Sequence, residues 1–213
     1  MTIEAVIWDF GGVFTTSPFD AFNRYERDRS LPSDIIRRIN SINPDTNAWA
    51  KIERSEIDAA SFDRLFSEEA RALGHDIRGA DVLALLSGDL RPRVVAAFKA
   101  CKARFKVGCI TNNAPTGKGA GMSASSAKAQ EIAAVFSLFD HVIESSKAGV
   151  RKPDPRIYRM MCEALEVAPE RCVYLDDLGI NLKPARDMGM VTIKVVSEDQ
   201  LLADLSRAVG IAF

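Results

Sequence analysis

An α/β fold, a parallel sheet with helices on both faces and a small helical cap inserted after the first strand, is the class this sequence predicts. Three observations lead there. Short β-branched apolar runs recur along the chain, and helix-length segments of 3.6-residue period separate the later ones. A long stretch near the N-terminus has helical patterning and no convincing strand.

The strand-like runs span 5–10, 107–111, 141–145, 172–177 and 191–196. Apolarity that is continuous rather than alternating marks strands buried on both faces. Helical segments at 93–103, 127–136, 155–165, 180–188 and 198–209 lie between the later runs, and their crossovers should be right-handed. The stretch from about 17 to 90 carries helical patterning at 19–29, 33–39, 58–73 and 80–86, punctuated by Pro18, Pro32, Pro44 and Gly74. Roughly seventy residues exceed any ordinary connection between neighbouring strands. The expected division is therefore a core of 1–16 and 91–213 and a helical cap of 17–90. Residues 114–129, rich in glycine, serine and alanine, form either a loop that gates the crevice or a plain surface loop.

A chain of 213 residues, 47% hydrophobic, can bury a substantial core. Its net charge of -1 gives no electrostatic reason to expect nucleic acid. Neither a membrane-length apolar run nor a basic-then-apolar leader is visible, which reads as a soluble cytoplasmic protein. Cys101, Cys109, Cys162 and Cys172 lack zinc-like spacing and read as reduced core thiols. With only His75 and His141, a histidine-rich metal site is close to excluded. Asp140-His141 has no GxSxG nucleophile to serve, so a serine-hydrolase triad is rejected. Oligomeric state leaves no mark in the sequence.

Polar residues stand at the ends of the apolar runs: Asp9 after AVIW, Thr111-Asn112 after VGCI, Asp176-Asp177 after CVYL, with Lys152 in RKPDP. Ligands of open parallel sheets bind just beyond the carboxyl ends of the strands, so these groups should share one crevice. A like-charge pair near 4 Å costs on the order of 4 kcal/mol at an effective dielectric of ~20, so three clustered carboxylates call for a cation. Oxygen-only donors suit Mg²⁺ better than zinc or iron. Thr111, Asn112 and nearby peptide N–H groups offer donors to an anion, and Lys152 offers a point charge for a phosphoryl oxygen. Asp9 is then the candidate nucleophile, attacking phosphorus to form an aspartyl-phosphate. Gly11-Gly12 are either a plain tight turn or a floor kept open for metal and phosphate.

Together, WDFGGVF, CITNN, RKPDPRIY and YLDDLGINLKPARDMGM resemble, in order and over nearly the whole chain, the haloacid dehalogenase-like hydrolase superfamily. KPDPRIY, the LDDLG–NLKPAR segment and NAWAKIERSEIDAASF resemble a narrower group. It contains the N-terminal phosphatase domain of soluble epoxide hydrolase and the N-terminal domain fused to certain acyl-CoA dehydrogenases. The resemblance implies a Rossmann-like core with a helical cap, dependence on Mg²⁺ and a small phosphate-ester substrate. By motif position Asp9 matches the nucleophile, while Thr111, Asn112 and Lys152 match phosphate-binding positions. Asp177 matches the usual metal ligand with Asp176 beside it, and Asn181 matches a supporting site residue.

One position departs from that pattern. Phosphatases of the superfamily usually carry a second aspartate two residues after the nucleophile, as general acid and base; here it is Gly11. Its carbonyl can still ligate Mg²⁺, but protonation of the leaving group loses a positioned acid, typically worth about 10²–10⁴-fold. Three outcomes are open: a substrate with a good leaving group, a proton from water or a cap residue, or a catalytically weak phosphoester-binding module. Thr15, Thr16, Tyr25, Lys51 and His75 are the candidates for the second. A 2-haloacid dehalogenase, which needs no second aspartate, is the competing activity.

Overall fold

Five strands, all parallel, form one sheet among the described residues: β1 (Ala5–Trp8), β2 (Lys106–Thr111), β3 (His141–Glu144), β4 (Cys172–Asp176) and β5 (Val191–Lys194). Their order is β3-β2-β1-β4-β5. The structure, a computed structural model, describes residues 2–119, 121–123 and 125–213. β1 lies at the centre, with Trp8 level with Cys109 of β2 and Leu175 of β4.

Between β1 and β2 run six helices, α1 (Pro18–Asp28), α2 (Ile35–Ser41), α3 (Ala48–Glu53), α4 (Ala59–Ala72), α5 (Gly79–Ala84) and α6 (Pro92–Lys102). After them come α7 (Ser126–Phe136), α8 (Ser145–Ala148), α9 (Pro155–Leu165), α10 (Gly179–Asp187) and α11 (Glu198–Val209). Alternate strand residues face opposite sides, and each side has its own cover. Val6, Trp8, Val107, Val173 and Leu175 pack with apolar residues of α6, α7 and α11. Ala5, Ile7, Ile110 and Tyr174 pack with residues of α9 and α10. Gly108 lets α9 settle on the sheet, because a Cβ there would lie 2.4 Å from Met161 Sδ.

α1 to α5 form a block with its own apolar centre, including Phe22, Ile36, Ile52, Phe62, Phe66 and Val82. Local polar groups fix its short helices. Glu26 accepts from the Asp34 and Ile36 amides at the start of α2 (2.8 and 3.0 Å). Asn47 and Glu69 accept from the first amides of α3. The chain enters and leaves this block through two adjoining segments, where Thr15 bridges Leu90 in antiparallel fashion. Ala114 and Met122, from the loop after β2, pack into the block's apolar centre. The four cysteines are free and buried. No described helix is long and apolar enough to cross a membrane.

Candidate active site

The carboxyl ends of β1, β2 and β4 place Asp9, Thr111 and Asp176-Asp177 at one edge of the sheet, and the segment before α9 brings Lys152 to them. Lys152 Nζ lies 2.8 Å from both Asp9 Oδ1 and Asp176 Oδ2, and its side chain is 1% exposed. Oxygens of Asp9, Asp176 and Asp177 all lie within 4.8 Å of one another. Asp9, Asp176 and Lys152 are thus withdrawn from water together, with Asp177 half-buried beside them. Burial pushes the Asp9 carboxyl well above the ordinary range; Lys152 opposes this, while Asp176 and Asp177 add to it. Asp177 is pushed up to about 6 by burial and by Asp176, against the pull of Lys152 and Arg91. Lys152 is held firmly charged: the two aspartates outweigh the opposing effect of its burial.

The oxygens divide unequally. Asp176 is saturated, accepting from Lys152 Nζ (2.8 Å), Tyr174 Oη (2.5 Å), the Leu178 amide (2.8 Å) and Asn181 Nδ2 (3.1 Å). Asp9 Oδ1 accepts from the Phe10 amide at 2.7 Å as well as meeting Lys152. Asp177 lies against Gly12, whose φ is +75°, and a Cβ on Gly12 would fall 2.3 Å from Asp177 Oδ2. Only a glycine lets the loop after β1 and the acidic pair approach this closely. Gly11 has free space, with nothing within 4 Å of a Cβ built on it.

Asn112, matched to a phosphate-binding position, and Asn181, matched to a supporting site residue, both have their side chains on protein partners. Asn112 Oδ1 accepts from the Lys152 amide at 2.9 Å and its Nδ2 donates to the Lys152 carbonyl at 3.0 Å, clamping that residue's backbone. Asn181 donates to Asp176, and its own carbonyl accepts from Tyr158 Oη at 2.7 Å. Thr111 is buried at the end of β2. Of the candidate proton sources, Tyr25 is bonded to Asp81 at 2.9 Å within the helical block, and Thr15 Oγ1 accepts from the Gly12 amide at 3.3 Å. Two residues the sequence reading passes over matter here. Tyr174, two positions before Asp176 and so on the same strand face, is readable from the period of a strand. Arg91, which donates to the Gly12 carbonyl at 2.9 Å, gives no sequence signal.

A parallel sheet presenting such a cluster at its strand ends defines an enzyme of the hydrolase class on a Rossmann-like core. The haloacid dehalogenase-like hydrolase family matches residues 3–189, and the chain belongs to it. It is 31% identical over 221 residues to Phosphatase MT3486 of Mycobacterium tuberculosis, covering 97% of this chain and 95% of that protein. It is 28% identical over 223 residues to bifunctional epoxide hydrolase 2 of Sus scrofa, covering 99% of this chain. That match bears out the narrower resemblance read from the motifs, and the chain spans 40% of the relative's length. Among solved structures, a haloacid dehalogenase family enzyme of Bacteroides thetaiotaomicron, complexed with magnesium and inorganic phosphate, aligns with a TM-score of 0.60 at 16% identity. That alignment covers 92% of this chain and 96% of the other, and it shows the shared fold.

Proposed function

We propose that the chain is a Mg²⁺-dependent phosphomonoester hydrolase working through an aspartyl-phosphate on Asp9. The observation that carries this reading is the clustering of three carboxylates, two of them paired with a single buried lysine. One positive charge does not balance three negative ones; burial first and Asp176 second raise the Asp177 pKa, and Lys152 only partly offsets them. A divalent ion fits, because the donors are hard carboxylate oxygens. Asp9 and Asp177, with the Gly11 carbonyl, would hold it; Asp176, already saturated, would instead fix Lys152. When bound, Mg²⁺ would neutralise charge on the phosphoryl oxygens. The phosphatase relative and the magnesium and phosphate of the Bacteroides enzyme support the same reading.

The chain's own groups would then act as follows. Asp9 Oδ1 is held by the Phe10 amide and Lys152, which leaves Oδ2 to attack phosphorus. The ester P–O bond breaks as the Asp9 O–P bond forms, and water later cleaves the acyl phosphate to return Asp9. Lys152 has three N–H donors, two of them engaged by Asp9 and Asp176, so one remains for a phosphoryl oxygen. The Thr111 hydroxyl is a further donor at the adjacent strand end. With Gly11 in place of an acid, substrates that leave without protonation, such as acyl phosphates or sugar 1-phosphates, are favoured.

A screen of sugar, acyl, lipid and nucleotide phosphates with Mg²⁺ and with EDTA tests the proposal. Turnover should require Mg²⁺ and vanish in Asp9→Asn; turnover retained by Asp9→Asn removes the nucleophile assignment. The vacant space at Gly11 also suits a 2-haloacid dehalogenase, but that chemistry leaves the three-carboxylate cluster without a purpose. Halide release that survives EDTA would favour it.

A further inference from the structure

Arg151, the residue before Lys152, reaches out of the core to the helical block. Its Nε lies 2.6 Å from Glu53 Oε2 at the end of α3, and its Nη1 donates to the Pro44 carbonyl at 2.8 Å. Both side chains of the ion pair are largely out of water, Arg151 19% and Glu53 8% exposed. Trp49 Nε1 donates to the other Glu53 oxygen at 3.0 Å, and nearby Ser55 Oγ donates to the Ser146 carbonyl of α8 at 2.7 Å. On its opposite side the same short segment is clamped by Asn112 across the Lys152 amide and carbonyl.

A buried carboxyl so near the site invites comparison with the acid missing at Gly11. Burial does push Glu53 upward, with Arg151 and Trp49 opposing, and the charge of Lys152 reaches it as well. Its two oxygens, however, face an indole N–H and a guanidinium. That is the environment of an acceptor, not of a proton donor. Its geometry serves placement.

We propose that Arg151 is a positioning residue: gripped by Glu53 and the Pro44 carbonyl, it ties the seating of the helical block to the placement of Lys152. The proposal rests on the phosphohydrolase reading only in giving Lys152 a phosphoryl group to meet.

The test uses the full chain and the double variant Glu53→Gln/Arg151→Met, which leaves neither charge buried alone. Arg151→Lys keeps the charge and loses the fork. Arg54→Gln, which breaks the neighbouring Arg54–Glu56 pair, is the control. Amide hydrogen exchange at Lys152 should quicken by roughly fivefold or more in the double variant, less in Arg151→Lys, and not in the control. Affinity for inorganic phosphate with Mg²⁺ should fall by a similar factor. In turnover of p-nitrophenyl phosphate, kcat should fall more than KM rises. Unchanged exchange at Lys152, or equal loosening by Arg54→Gln, overturns the proposal. If the double variant does not fold, Arg151→Lys decides by the same readout. A wild-type protein that neither binds phosphate nor hydrolyses its esters would sink the phosphohydrolase reading, while the exchange result would still decide this one.

Discussion

Two adjacent glycines shortly after Asp9 meet opposite constraints. At Gly12 a methyl group would collide with Asp177 and sit at φ +75°, so Gly12→Ala should cost about 1–3 kcal/mol of stability in denaturant unfolding. It should also remove the Mg²⁺-induced rise in thermal midpoint, because Asp177 must move. Gly11 has room and no positive φ, so Gly11→Asp should fold normally. It should then speed hydrolysis of alkyl phosphates by at least about tenfold, and activated aryl or acyl phosphates much less. Steady-state kinetics on both classes checks this, and equal gains would show that leaving-group protonation is not what the site lacks. At this scale the sequence points to residues that the fold brings together, but not to the partners each one takes. Asn112 is read as an anion donor from its place after a strand, and Asn181 as a supporting site residue from the family resemblance alone. Their hydrogen bonds go to the Lys152 backbone and to Asp176, pairings set by contacts 40 and 5 positions away.

Elements are legible to the extent that their periodicity is local. All five strands lie where the apolar runs put them, yet four end earlier than expected, β1 at Trp8 and β5 at Lys194, for example. At β1 and β4 the residues just past the ladder, Asp9 and Asp177, join the acidic cluster, while Phe10 and Val195 stay in the apolar core. α3 escapes detection because six residues carry too little pattern; it stands on Asn47, Glu69 and its packing with α4. Residue 145 is read as strand but begins α8, itself only four residues long. Between α7 and β3, Asp140 accepts from the Val107 amide at 2.7 Å and from Lys102 at 2.5 Å. Burial works to raise its pKa, but these donors prevail and hold it below the ordinary carboxylate value. A depressed carboxylate stabilises the fold above its unfolded pKa and loses that contribution as pH falls through its folded one. Asp140→Asn should therefore cost on the order of 0.5–1 kcal/mol near neutrality, kept small by solvent screening. The cost should shrink in acid; denaturant melts at two pH values measure it, and a constant difference would contradict the assignment.

The whole molecule inherits the charge imbalance of its crevice. Mg²⁺ held at Asp9 and Asp177 should raise the stability of the entire fold, by about 2.7 kcal/mol at a hundredfold excess over its dissociation constant. Thermal melts should show this rise in the wild type and lose it in Asp177→Asn. An equal rise in both would point to binding elsewhere. The helical block is joined to this machinery at a narrow neck. The Thr16 amide donates to the Asp89 carbonyl and the Arg91 amide to the Phe14 carbonyl, both at 2.8 Å, so entry and exit are stitched side by side. Ends stitched in this way make the insertion a loop closed on itself: a turn inside it can gain or lose residues without prising the strands beneath apart, whereas α3, anchored through Glu53 to Arg151, has no such latitude.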